Sequence, residues 1–173
     1  MTLSRIILGL LALAPMTGYD LKRHFDSTAR HFWAADKAQI YRTLARLVDD
    51  GLAAVEVVPG AGAPDRQVHR ITAEGRAALA EWLVSPVEAH ADRDPFLARL
   101  FFADGLEPEA LRRLLAVRRQ EAEELLAHFE SIRDTTGAPR DRAARFRLAT
   151  LANGIAHMRA ELAWLDEIEA DLP

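Results

Sequence analysis

The sequence has 173 residues, half of them apolar, and its 22 Lys and Arg residues face 26 Asp and Glu residues, a formal net charge of −4. This is the composition of one large or two small globular domains, and it argues against a disordered, collagen-like or membrane protein. The chain has no cysteine, so disulfides, a thiolate zinc site and a cysteine nucleophile are excluded.

The charge is distributed unevenly along the chain. Residues 1–84 carry ten Lys and Arg against nine Asp and Glu, whereas residues 85–173 carry twelve against seventeen. The net charge of the whole chain therefore says little about partners. The local placement of basic side chains has to identify them.

The first apolar run, Ile6–Ala14 after Arg5, has two interpretations. Ala12-Leu13-Ala14 resembles the end of a secretory signal peptide, but Pro15 would then be a poor first residue of the mature chain. The run is also too short to span a bilayer. We therefore predict a cytoplasmic protein without membrane contact, in which Leu3–Ala14 forms a helix that is buried on most sides.

Capping residues mark the start of the next two helices. Thr17 and Asp20 form a variant of the capping box, and Asp36 and Gln39 repeat the pattern ahead of a third helix. Gly51 suits the left-handed position that ends this third helix. The sequence thus predicts three helices within the first 50 residues.

A hairpin and a fourth helix follow. Leu52–Val58 and Arg66–Ile71 read as extended strands on either side of a tip of Gly, Pro and Ala at residues 59–64. Thr72 caps a helix that runs to about Val84. Three helices, a hairpin and a helix in this order predict a winged helix-turn-helix DNA-binding domain over residues 1–84.

The second half is predicted to be entirely helical. Residues 85–93, which include Pro86, form the predicted linker, and residues 94–173 form a helical dimerisation and effector domain. Its predicted helices are Pro95–Ala103, Pro108 to about Arg133, and about Asp141 to Ala170, with a turn at 135–139. The predicted fold class is therefore mainly α with a small β-hairpin.

The third helix carries the pattern of a DNA-reading surface. Gln39, Arg42 and Arg46 lie three and four residues apart, opposite the apolar stripe. In the major groove, Arg pairs with guanine and Gln with adenine, and cations beside the groove bind phosphate. The alternative is an ordinary solvated helix face. The predicted DNA-binding residues are Tyr19, Lys22, Lys37, Gln39, Tyr41, Arg42, Arg46 and Arg66.

The last helix carries a long apolar seam with spacings of three and four residues. Such a seam is typical of a coiled-coil-like interface, and we predict a homodimer that forms through it, with a contribution from the first helix. The alternative is that the seam packs within its own subunit. The predicted dimerisation residues are Leu148, Leu151, Ile155, Met158, Leu162 and Leu165.

Aromatic and basic side chains in the helical half suggest a ligand pocket between the modules. A small aromatic or phenolic effector would be held there by aromatic rings and by cationic or imidazole groups. Aromatic side chains at helical spacing are otherwise core residues. The predicted effector-binding residues are Arg99, Phe102, His128, His157 and Trp164.

No catalytic constellation is recognisable. The six histidines are scattered without metal-ligand spacing, and the chain has neither a Gly-rich phosphate loop nor a G-x-S-x-G motif. We therefore expect no catalytic residue, no cofactor and no metal, and we predict that the protein is not an enzyme.

A series of short motifs runs through nearly the whole chain. They are Ile7-Leu8-Gly9-Leu10-Leu11, Thr17-Gly18-Tyr19-Asp20-Leu21, Phe32-Trp33, Gln39-Ile40-Tyr41-Arg42-Thr43-Leu44, Asp50-Gly51-Leu52, Arg66 to Thr72, Glu74-Gly75-Arg76 and Phe96 to Phe102, with Trp164 near the end. In order and spacing they resemble the PadR family of bacterial transcriptional regulators. The long helical half resembles the branch that includes regulators of phenolic acid metabolism.

The resemblance implies a homodimeric repressor that binds an inverted-repeat operator and is released by a small ligand. In this family the second helix, the third helix and the wing contact DNA. The resemblance therefore implies DNA contacts for Tyr19, Lys22, Gln39, Tyr41, Arg42 and Arg66. His69 departs from the family, where an aromatic residue is frequent, and this suggests the hypothesis of a pH-sensitive wing.

Other functions remain open from the residues alone. A winged helix can serve as a protein-interaction module without DNA function. Alternatively, the protein could be an enzyme that uses the helical half to act on a small molecule. The polar and basic face of the third helix, which has no apolar anchor, favours DNA. An activator or a ligand-independent autoregulator would have the same sequence features as a repressor.

Overall fold

The computed structural model of the chain describes residues 2–27, 29–59, 65–87 and 93–171. It divides into two compact units, residues 1–88 and 89–173. Within the described ranges, every helix is too short or too polar to cross a membrane.

The first unit is a winged helix. Its helices are α1 (Thr2–Leu13), α2 (Gly18–Asp26), α3 (Lys37–Asp49) and α4 (Ala73–Val84). Its strands are β1 (Met16–Thr17), β2 (Ala53–Val58) and β3 (Arg66–Ile71). They form one antiparallel sheet with the order β1-β3-β2, in which Met16 pairs with His69 and Val58 with Arg66.

Two capping boxes start α2 and α3 as the sequence predicts. The Thr17 hydroxyl accepts the N–H of Asp20, whose carboxylate accepts the N–H of Thr17, both at 3.1 Å. The Asp36 carboxylate accepts the N–H of Gln39 at 2.7 Å, and the Gln39 amide oxygen accepts the N–H of Asp36 at 3.2 Å. These bonds satisfy amide groups that the helix leaves unpaired, so both helices begin at defined residues.

The core of this unit is built where the inner faces of α1, α2 and α3 meet the sheet. Its fully buried side chains include Ile7, Leu8, Leu21, Phe25, Ile40, Leu44 and Leu47. These positions recur every three or four residues, as helices with one buried face require.

Two glycines shape the connection between α3 and the wing. Gly51 has φ +70°, the left-handed conformation that ends α3. Gly75 allows α4 to approach the backbone at Leu52, because a Cβ at this position would lie 2.1 Å from the Leu52 carbonyl oxygen. Thr72 joins the two segments, since its hydroxyl donates to the carbonyl of Gly51 at 2.8 Å and caps α4 at Gly75.

The first unit differs from the sequence prediction in one respect. The two-residue strand β1 was not predicted, because so short a strand has no periodicity of its own. Helix α1 is buried at Ile7, Leu8 and Leu11 and half-buried at its other positions except Leu13, which is 59% exposed, in agreement with the prediction of burial on most sides. The hairpin tip at 60–64 and positions 88–92 of the predicted linker lie outside the described residues.

The second unit is helical. It comprises α5 (Pro95–Phe101), a short 3₁₀ turn (Ala103–Gly105), α6 (Pro108–Thr136) and α7 (Arg142–Ala170). Helices α6 and α7 form an antiparallel pair joined by residues 137–141. The turn predicted at 135–139 starts two residues later, because the hydroxyls of Thr135 and Thr136 bond to carbonyls one turn back and continue the helix to Gly137.

Candidate nucleic-acid interface

Helix α3 separates a buried face from an exposed polar one. Ile40, Thr43, Leu44 and Leu47 point into the core. The exposed side chains on the rest of the helix include all five candidates that were predicted from its sequence: Lys37, Gln39, Tyr41, Arg42 and Arg46. The polar and basic side chains of this helix are therefore presented together at the surface of the winged helix.

A groove of about 490 Å³ lies beside this exposed face. The N-terminal end of α1 and the segment around Trp33 form its other sides. Both arginines of α3 contribute to it, so the groove is open to an anionic group. Its lining residues are Thr2, Leu3, Trp33, Ala34, Gln39, Arg42, Thr43 and Arg46.

Gln39 has a structural function that the DNA-reading hypothesis has to accommodate. Its amide oxygen belongs to the capping box with Asp36. The amide NH₂ group can still donate two hydrogen bonds. Gln39 can therefore donate to a base acceptor without releasing the cap.

The two tyrosines of the candidate set have different environments. Tyr41 is 44% exposed, and its ring lies against Gly18 at the start of α2, where an added Cβ would be 2.7 Å from Tyr41 Cζ. The Lys37 ammonium lies 5.8 Å from the centre of the same ring. Tyr19 is 68% exposed, so its ring lies at the surface of α2 and not in the core.

The basic residues of α2 and of the wing are not equally available. Lys22 forms an ion pair with Asp26 one turn along α2. Arg70 pairs with Glu56 on the neighbouring strand at 3.2 Å. Arg66 is exposed at the first position of β3, the end of the strand nearest the hairpin tip.

His69 lies inside the winged helix and not on its surface. It is 6% exposed, in the middle strand, with Met16 and Val55 as its neighbours on either side. Burial lowers the pKa of its imidazole, because a charged ring would lose its hydration. A pH effect of His69 would therefore act through the stability of the sheet.

The apolar seam of α7 is used within the chain. Leu151, Ile155 and Leu165 are 3%, 5% and 0% exposed. The first two form a cluster with Phe129 of α6, against which Leu148 and Met158 also pack. Leu162 is half-buried. This is the intrasubunit packing that the sequence left open, and a role of these residues in a dimer stays a prediction.

The five predicted effector residues do not come together. Arg99 and Phe102 line a groove of about 740 Å³ with Leu106, Arg113 and Val117. Trp164 instead meets Phe96 edge-on, with 6.1 Å between ring centres. His128 lies beside Phe129, and His157 is exposed on α7.

A charged network that was not predicted fastens the start of α5. Arg118 contacts Glu161 of α7 at 2.6 Å and Asp94 at 3.0 Å, and its guanidinium lies 5.2 Å from the centre of the Phe96 ring. The Asp94 carboxylate also caps α5. The signal in the sequence was a single arginine that interrupts the apolar stripe of α6, and its partners are too distant along the chain to be deduced from spacing.

Comparison with known proteins identifies both halves of the chain. Residues 7–81 match the family model described as "Transcriptional regulator PadR-like family", and residues 93–172 match "Virulence activator alpha C-term". The chain is 30% identical over 182 residues to a probable transcriptional regulator of Mycobacterium tuberculosis, Rv1176c, covering 97% of this chain and 96% of that protein. The chain belongs to the PadR-like family of transcriptional regulators. The resemblance and the winged-helix fold class are thereby confirmed.

A regulator of Bacillus subtilis is similar to the chain in sequence and in fold. The negative transcriptional regulator PadR of Bacillus subtilis is 25% identical over 126 residues, which is 72% of this chain and 69% of that protein. Its structure with operator DNA has the same fold, with a TM-score of 0.86, 21% identity and full coverage of both chains. Its structure with p-coumaric acid has a TM-score of 0.77, 22% identity and 99% coverage of both chains.

The virulence activator AphA of Vibrio cholerae shares the longer helical half. Its structure is 31% identical to this chain, with a TM-score of 0.75 and coverage of 98% of this chain and 97% of that one. Members of the PadR-like family are transcriptional regulators and not enzymes. Within the described residues of this member, no cluster of three or more His, Asp or Glu side chains could hold a metal ion.

Proposed function

We propose that the protein is a cytoplasmic, homodimeric repressor that binds an inverted-repeat operator through its winged helix and releases it when a small effector binds. The observation that carries the proposal is the exposed polar and basic face of α3. Arg42 and Arg46 lie on it without an apolar anchor, which suits base edges and phosphates better than a protein surface.

The residues of the winged helix have distinct proposed roles. Arg42 and Gln39 read base edges from α3, while Lys37 and Arg46 bind the flanking backbone. Tyr19, Tyr41 and Lys22 contact phosphates from the α2 side, and Arg66 does so from the wing. Lys22 has to exchange Asp26 for a phosphate, so we expect its contribution to be smaller than that of Arg42.

The proposed dimer sets the spacing of the half-sites. Two recognition helices related by a two-fold axis reach successive major grooves when they lie about 34 Å apart, one turn of DNA. Repression is the proposed direction because the B. subtilis relative is a negative regulator, although AphA is named an activator.

The groove at Arg99 and Phe102 is the proposed effector site. It offers apolar walls from Leu106 and Val117 and positive charge from Arg99, together with Arg113, which also pairs with Glu109 at 3.5 Å. An aromatic carboxylate, the class to which p-coumaric acid of the B. subtilis complex belongs, matches this combination. Such a ligand shifts operator binding only if it binds the released form more tightly than the bound form.

The experiment that tests the proposal is a selection of bound sequences from random duplex DNA at about 150 mM salt, a concentration at which nonspecific phosphate binding is weak. An enriched inverted repeat supplies the operator. Arg42→Ala is then expected to weaken binding to it by about 1–3 kcal/mol. Arg76→Ala, an exposed arginine of α4, is the matched control and leaves the affinity unchanged.

Two results would contradict this proposal. A selection that enriches no inverted repeat, with the protein shown to be free of bound ligand, would favour a protein-interaction module. Equal losses for Arg42→Ala and Arg76→Ala would mean that α3 does not read the operator.

A further inference from the structure

The two ends of the Gln39 side-chain amide have different surroundings. The amide oxygen accepts the backbone N–H of Asp36 at 3.2 Å, while the Asp36 carboxylate accepts the N–H of Gln39 at 2.7 Å. The amide NH₂ group has no hydrogen-bond partner among the described residues. The side chain is exposed and lines the groove beside α3, so this NH₂ group is available to a ligand.

The basic neighbours of Gln39 on α3 supply hydrogen-bond donors only. Arg42 lies about one turn along the helix and lines the same groove, and Lys37 stands at the start of the helix. Guanidinium and ammonium groups have N–H donors and no acceptor. The oxygen of Gln39 would add an acceptor to this face, but the cap holds it at the backbone of Asp36.

The two purines require different groups from a glutamine side chain. In the major groove adenine shows an acceptor at N7 and a donor at N6, so a bidentate contact needs both the NH₂ group and the oxygen. Guanine shows two acceptors, N7 and O6, which the donors of an NH₂ group satisfy alone. A bidentate contact with adenine therefore competes with the cap for the oxygen of Gln39, whereas a contact with guanine leaves the cap intact.

We infer that the capping box makes Gln39 a reader of guanine and not of adenine, and that the backbone N–H of Asp36 sets this preference. The inference rests on the proposed operator binding and specifies a base that each half-site contains. It replaces the pairing with adenine that the residue type alone suggests. Asp36 is in this sense a positioning residue, because it holds the amide oxygen and touches no base.

Affinities for operator variants test the base assignment. Gln39 reads the operator position at which Gln39→Ala abolishes the preference among the four bases. There the native chain is expected to bind guanine about fivefold more tightly than adenine, the factor that one capping interaction is worth. Gln39→Glu keeps an oxygen for the cap and exchanges the donor for an acceptor, so its expected preference is cytosine.

The added negative charge of Gln39→Glu needs a control of its own. Ala45→Glu places the same charge at an exposed position of α3 that does not line the groove. Repulsion from the phosphates is expected to weaken its binding to every operator variant by a similar factor. Its preference for guanine at the Gln39 position should remain that of the native chain.

A matched pair of variants tests the N–H of residue 36. Asp36 has φ −77°, a value that proline adopts without strain. Asp36→Pro removes the N–H that holds the Gln39 oxygen and is expected to improve binding to adenine, relative to guanine, about fivefold. Asp36→Ala removes the same carboxylate but keeps the N–H, so it should retain the guanine preference. Circular dichroism verifies that both variants are folded, and the Gln39→Glu result does not depend on them.

The outcomes separate this inference from the proposed function. An adenine preference at the Gln39 position, a Gln39→Glu variant that still prefers guanine, or an operator at which Gln39→Ala changes no preference overturns the guanine assignment. Operator binding that depends on Arg42 would then still stand. A folded Asp36→Pro variant with the native preference overturns the role of the N–H. A selection that enriches no operator overturns the proposed function and this inference together.

Discussion

The close approach of α4 to the α3–β2 connection makes Gly75→Ala a sharp test of the winged-helix packing. An added Cβ would lie 2.1 Å from the Leu52 carbonyl oxygen and 2.9 Å from Ile71 Cγ1. The Leu52 oxygen already accepts the N–H of Thr72 at 3.2 Å, and Thr72 caps α4 at Gly75 itself. Neither backbone segment can move away without loss of one of these hydrogen bonds.

The expected magnitude follows from two opposing effects. A clash with backbone belongs at the upper end of the overpacking range, about 3 kcal/mol. Alanine gains about 1 kcal/mol over glycine in a helix. The net expectation is that Gly75→Ala lowers the free energy of unfolding by about 2 kcal/mol.

Gly9→Ala is the matched control, since Gly9 is also helical and an added Cβ meets no atom within 4 Å. Here only the helix preference acts, and the substitution is expected to stabilise by about 0.5–1 kcal/mol. In thermal unfolding Gly75→Ala should lower Tm by about 4–8 °C, while Gly9→Ala should raise it slightly. Changes of the same sign in the two variants, or a Gly75→Ala variant as stable as the native chain, would refute the packing argument.

Three further predictions concern buried groups. Leu151→Glu places a carboxylate between α6 and α7 and should unfold the helical unit in circular dichroism, whereas a folded but monomeric variant would show that the seam is free for a partner. Burial lowers the pKa of His69, so the native state is stabilised while the ring is neutral, above about pH 6.5, and loses stability at lower pH. Between pH 8 and 5.5 the urea midpoint of His69→Phe should therefore fall less than that of the native chain. The part of the fall that comes from His31, whose pKa is also lowered by burial, should remain in the variant. Arg118→Ala leaves the partly buried carboxylates of Asp94 and Glu161 unpaired and should lower the free energy of unfolding in urea by about 1–3 kcal/mol. Arg118→Lys keeps the charge and should lower it less. A decrease below about 0.5 kcal/mol in Arg118→Ala would show that solvent replaces the guanidinium.

The features that sequence reasoning predicted well depend on neighbouring residues. The capping boxes at Thr17 and Asp36 involve residues three positions apart, and the left-handed turn at Gly51 depends on one residue. The hairpin strands β2 and β3 stand on either side of a short segment of Gly, Pro and Ala in the sequence. Because these interactions form between residues that are close along the chain, the residue types at those positions are enough to predict them.

The features that sequence reasoning missed depend on distant partners. Strand β1 exists only because β3 pairs with it across more than 50 residues. The network around Arg118 joins residues 24 and 43 positions away. Trp164 packs on Phe96 and not in a pocket with Arg99, because the antiparallel course of α6 and α7 decides which rings meet.

Burial of an apolar stripe is predictable from its period, but the identity of the surface that covers it is not. The seam at Leu151 and Ile155 has the spacing of an interface, and α6 of the same chain covers it.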